Sequence, residues 1–386
     1  MSGLIPIITT TLGAKPELAG KIKSGLANGT YIRAGGTIRH ADTQQIVALL
    51  RDMPGIQPIN ADILSMFGPL LQVSAATSML NLSITAIGFV IVMKQLDSIE
   101  GKLESISRIL AEINRKLDLG FYANFRAALE LARTAFEMRD DANKRISATQ
   151  AINRFLEAEH HYLGLSDNEL QAGSPAVSLL LSTLILAYVS TARCYLELGE
   201  TETAWRHFQE GESALSPRVK QYYSSIVGAN PAIFLHPSLA DSISLERLTL
   251  LLRYYDVSLT ENSVFENLRK MIWETASQNP ETWLLKLPAS IWNHDIDRWE
   301  KKVKIRRRRT WEEMLNQVLP RLPEAFAQVE LVQESLGCIQ GYSIELRYLL
   351  DNNIEFSEWQ QIELPTANQN DPIAILLPEN SELLVG

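Results

Sequence analysis

Two groups of residues in this chain have types and spacings that could do chemistry. Lys301, Lys302, Lys304, Arg306, Arg307, Arg308 and Arg309 place seven cations within nine residues. Five of the seven tryptophans, Trp273, Trp283, Trp292, Trp299 and Trp311, lie within 40 residues of them. Guanidinium forks match phosphate oxygens and aromatic rings stack on bases, so this combination suits an oligonucleotide or an anionic lipid head group. A solvated helix face with its tryptophans in the core is the plainer reading of the same residues. The second group is Ser74, Ser78, Asn81, Thr85 and Gly88, which recur at intervals of four and three. On a helix they form one small, polar stripe, while Leu80, Ile84, Ile87 and Ile91 fall on another face. Parallel copies joined along that stripe would turn hydroxyls inward and branched aliphatics toward lipid, the layout a water-filled pore requires.

Signatures of catalysis are missing from the sequence. There is no GxxxxGK[ST], no GxGxxG after a strand and no GxSxG elbow. The six histidines, His40, His160, His161, His207, His236 and His294, are scattered, and only His160 and His161 are adjacent. Neighbours on a helix point about 100° apart, so that pair cannot form a metal-binding face. The two cysteines, Cys194 and Cys338, stand far apart in apolar contexts and read as buried, reduced thiols. The expectation is a non-enzyme with no catalytic residue, no metal site and no cofactor.

The elements that must position the two groups are mostly helical. From Ile63 to Met93 the chain runs 31 residues without a charge, between Asp62 and Lys94. A helix needs about 20 residues to cross a hydrocarbon core of about 30 Å, so the length suffices. Ser74, Thr77, Ser78, Asn81, Ser83 and Thr85 make the run more polar than a simple anchor, and a central helix of a soluble bundle remains the competing reading. Downstream, Leu96, Ile99, Leu103, Ile106, Leu110, Ile113 and Leu117 alternate spacings of three and four, a coiled-coil seam for homo-oligomerisation. The same register extends back through Val92, Phe89, Thr85, Leu82, Ser78, Ala75 and Leu71. The uncharged run and the seam therefore read as one rod, although the seam could also close on a helix of its own chain.

Around the rod, residues 1–62 read as an N-terminal cap. Tyr31–Arg33 and Thr37–Arg39 flank Ala34-Gly35-Gly36 as a hairpin, and a short helix follows with Ile46, Leu49 and Leu50 on one face. The apolar peptide Leu4-Ile5-Pro6-Ile7-Ile8 is a possible pore plug. The rod occupies 63–119, and 120–359 reads as consecutive helices forming a sensor domain. Within it, Ala192 to Phe208, with its Leu198-Gly199 turn, Ala204 and Phe208, resembles one tetratricopeptide repeat that closes at Ser216-Pro217. Residues 360–386 form a tail in which Ile373 to Leu377 is extended. The fold class expected is mainly α, with an irregular tetratricopeptide-like helical domain and a small hairpin.

A net charge of -9 argues against coating duplex nucleic acid and leaves any anionic partner to a local patch. No basic residue precedes the apolar start, so a secretory leader is not expected and the cytoplasmic side is the default.

The stretch Gln72 to Glu100, preceded by the hairpin Tyr31 to Arg39, resembles bacterial anti-phage defence effectors of the Hailong type. That resemblance implies an oligomeric channel in the inner membrane, held closed until an oligonucleotide messenger from a partner nucleotidyltransferase opens it, after which the membrane depolarises and growth stops. Assigning the messenger to Lys301–Arg309 extends beyond the residues that carry the resemblance. The competing class is a soluble helical scaffold that assembles protein partners through the coiled coil and the repeat-like domain.

Overall fold

The computed structural model describes residues 8–12, 24–25, 30–34, 37–40, 46–52, 92, 97, 101, 120–228, 231–256, 258–276, 319–361 and 373–376. Among them the chain is mainly helical, with one five-stranded sheet.

Apolar and β-branched runs build the sheet: β1 (Ile8–Leu12), β2 (Tyr31–Ala34), β3 (Thr37–His40), β4 (Ile46–Asp52) and β5 (Ile373–Leu376). Their order is β1-β5-β4-β3-β2. The expected hairpin is present as antiparallel β2 and β3, with Tyr31 opposite His40 and Ala34 opposite Thr37. The expected short helix over Ile46–Leu50 is instead β4, antiparallel to both β3 and β5. A contiguous apolar run serves a strand flanked on both sides as well as a helix, and its partner β5 lies more than 300 residues downstream, out of reach of local periodicity. The tail is extended as expected, and it enters the sheet between β1 and β4.

Helices α1 (Gly120–Glu137), α2 (Asp141–Gln171), α3 (Val177–Glu197) and α4 (Thr201–Val227) pack successively, each against the next. Short connections force the antiparallel hairpins. Asp140 caps α2 by accepting from the Asn143 N–H at 2.8 Å. After α3 the chain reverses at Gly199, whose φ of 78° suits a residue without Cβ, and Glu200 N–H donates to Tyr195 O at 2.9 Å. The closure expected at Ser216-Pro217 does not occur, because α4 runs through Pro217 to Val227.

Two 3-10 turns, Pro231–Leu235 and Pro237–Leu239, lead to α5 (Leu245–Tyr255) and α6 (Glu261–Ala276). Ser244 caps α5 through the Arg247 N–H at 3.1 Å. The long α7 (Leu322–Asp351), started by Pro323, lies across α4 and α3, and α8 (Phe356–Gln361) packs on α3. One continuous core results, centred on α3, where Leu180, Leu181, Leu184, Ile185, Ala187 and Val189 are fully buried. Burying a Leu or Ile contributes about 1.5–3 kcal/mol each, so this helix is the main source of cohesion in the helical body. Both cysteines are free and buried, as expected.

Candidate functional site

None of the residues expected to carry function falls within the described part of the chain. The pore-lining stripe Ser74, Ser78, Asn81, Thr85 and Gly88, the seam Leu96 to Leu117, and the cluster Lys301 to Arg309 all lie outside it, as do residues 4–7 of the proposed plug. Of the tryptophans near the basic cluster, Trp273 is described, and it is 76% exposed at the end of α6 rather than in the core.

Three residues of the rod are described, and they place it against the helical body. Val92, Asp97 and Gly101 are helical. Val92, a seam-register position, is only 2% exposed and belongs to the same core as Tyr122 and Phe125 of α1. Asp97 accepts a hydrogen bond in an ion pair from Arg126 Nη2, also on α1. Tyr122 and Phe125 precede Arg126 by four and one positions, so α1 brings its apolar side and its cation to the rod in one turn.

A second convergence joins the sheet to the helices. Arg39 of β3, 3% exposed, donates from Nη2 to the Gly337 carbonyl at 3.0 Å and from Nη1 to Gln340 Oε1 at 3.1 Å, both on α7. Gln340 Nε2 in turn donates to Glu212 Oε1 on α4 at 2.7 Å. Burial pulls the Arg39 guanidinium below its usual range, opposed by Tyr254, Cys338 and Glu212. Tyr254 is pushed up by its own burial, with Arg39 acting against the shift. A buried cation satisfied this way fixes one orientation of the sheet on α4 and α7.

The third convergence is a sealed polar cluster at the centre of the helical stack. Glu159 of α2, Thr191 of α3 and His207 of α4 are 4%, 0% and 6% exposed. The Thr191 hydroxyl lies 2.5 Å from Glu159 Oε1 and 3.0 Å from the Ala187 carbonyl, and His207 Nε2 lies 3.1 Å from the same Glu159 oxygen. Tyr188 and Tyr195 pack on the imidazole with ring centroids at 5.1 and 5.9 Å. Gly211 makes room for Tyr188, since a Cβ there would meet its ring at 2.9 Å. The residue types resemble an acid–base pair, but the cluster is closed by core side chains on every helix it touches. Its physical effect is to fix the register of α2, α3 and α4, because a misaligned stack would strand a buried carboxylate.

Family models, curated proteins and solved structures were compared with the chain, and none of them matches.

The thiol of Cys194 is pushed up by burial, which keeps it unreactive. Among the described residues no group of three or more His, Cys, Asp or Glu is arranged to hold a metal ion. Sequence reasoning missed Arg39, Glu159, Thr191 and Arg126. His207 stood within the repeat-like stretch, and its only signal there was a polar residue one position before the buried Phe208.

Proposed function

We propose that the chain is a non-enzymatic effector whose helical body receives a signal and whose rod, residues 63–119, acts on the bacterial inner membrane as a homo-oligomeric channel. In this reading the α3–α4 hairpin is tetratricopeptide-like and the seam is a coiled coil between copies. An anionic, oligonucleotide-type ligand meets Lys301–Arg309, and the polar stripe Ser74 to Gly88 lines the conducting path.

The observation that supports this reading is the placement of the rod. It is inserted between β4 and α1, while the sheet that β4 belongs to is completed by β5 from the far end of the chain. The rod therefore has folded elements at both ends and an uncharged stretch of membrane-spanning length between them. Reconstitution of the full chain into phosphatidylglycerol-containing liposomes tests it. Co-flotation with the vesicles and collapse of an imposed potassium diffusion potential are expected. A chain that stays at the bottom of the gradient and leaves the potential intact removes the channel.

One observation favours the second class, a soluble helical scaffold. Val92, inside the rod, is already part of the monomer's own core. A soluble scaffold would hold the whole rod that way, and protease protection of residues 63–93 in lipid-free protein, unchanged by added vesicles, is its signature.

A further inference from the structure

The seam has two claimants. Val92 lies in the a/d register that continues into Leu96 and Ile99, the stripe a second copy would need. In the monomer Val92 is 2% exposed within the core that contains Tyr122 and Phe125, and Asp97 is ion-paired with Arg126. An apolar side chain cannot face its own chain's core and another copy's seam at once. The ion pair is half-exposed, with side-chain exposures of 39% for Arg126 and 55% for Asp97, so it can open into water with little penalty.

We propose that α1 and a second copy of the chain compete for the same stripe of the rod, so that α1 masks the start of the seam in the monomer and assembly requires it to let go. The proposal rests on the seam-driven assembly described above and adds its control point: Arg126 and Asp97 form the clasp, and Val92 is the residue handed over. The geometry gives the clasp a useful character. An exposed ion pair shifts an equilibrium by only a few-fold, which sets a bias that a ligand or crowding on a membrane surface can overcome.

Sedimentation velocity of the full chain over a concentration series tests this directly. Arg126→Asp replaces the pair with a like-charge contact and should raise the apparent association constant about fivefold, the scale of one exposed pair lost and one repulsion gained. Asp97→Arg combined with Arg126→Asp restores the pair and should return association to near the wild-type level. Adding Leu110→Lys to Arg126→Asp should erase the gain, because the copies would meet on the seam. Association of Arg126→Asp equal to wild type, failure of the exchanged pair to restore it, or a gain that survives Leu110→Lys overturns the proposal. Co-flotation of the same proteins separates the two claims. Clasp-dependent assembly without vesicle binding removes the membrane role and keeps the clasp, whereas vesicle binding with no response to Arg126→Asp keeps the membrane role and removes the clasp.

Discussion

Two stretches of this chain are long enough and apolar enough in charge pattern to attract a membrane assignment, and they differ in an instructive way. α3 has a mean hydropathy of 1.6 over its best 18-residue window, and that window is completely buried inside the helical body. The run from Ile63 to Met93 has no charge at all, yet it carries Ser74, Ser78, Asn81 and Thr85 on one face. Hydroxyls do not distinguish the two. In α3 the Ser182, Thr183 and Ser190 hydroxyls donate to carbonyls four residues back at 2.7–2.8 Å, which satisfies them in apolar surroundings. What distinguishes them is the company available. α3 is covered by α2, α4, α7 and α8, and its buried Arg193 is neutralised by Glu197 and stacked over Phe356 at 5.0 Å. Hydropathy thus marks a helix that must leave water, and the neighbouring sequence decides whether protein or lipid receives it.

The sharpest way to break this contrast is to put one charge into each stretch. Leu184→Lys, at a fully buried site in α3, should cost about 4 kcal/mol or more and leave little folded protein, read by urea unfolding of the full chain. A mild effect there would mean that α3 is not the centre of the core. Next in size, Glu159→Ala strands His207 and one bond of Thr191 in the polar cluster between α2, α3 and α4. A loss of about 2–3 kcal/mol is expected in the same assay, with Glu159→Gln recovering about half because it keeps an acceptor. Smallest for stability is Ile87→Lys in the uncharged run, which should shift unfolding by less than about 1 kcal/mol while abolishing co-flotation with vesicles. Unfolding as severe as that of Leu184→Lys would place Ile87 in a protein core and erase the distinction between the stretches.

How far the fold could be read from residues alone follows from which interactions are local. The hairpin around Gly35-Gly36 and the succession of helices after residue 120 depend on turns, caps and 3.6-residue periodicity, and both were open to sequence reasoning. The strand character of Ile46–Asp52 depends on pairing with Ile373–Leu376, and nothing near Ile46 announces it. α4 continuing through Pro217 is likewise set by its tertiary bed, since Leu215, Val219 and Tyr222 on either side of the proline are all buried. For the candidate site the limit is sharper. Arg39 with Gln340 and Glu212, Glu159 with Thr191 and His207, and Asp97 with Arg126 are each assembled from distant positions whose residue types are ordinary. Spacing could single out the polar stripe and the cation cluster because both are repetitive, and repetition is what a linear reading detects.

Single-channel recording in planar bilayers bears most directly on the claim that the rod, joined to its own copies, conducts through its polar stripe. The full chain should give discrete current steps, and Asn81→Leu with Thr85→Leu should shrink those steps while sedimentation shows the same assembly. Identical steps from the substituted chain, or silence from a wild-type chain that floats with the vesicles, would contradict it.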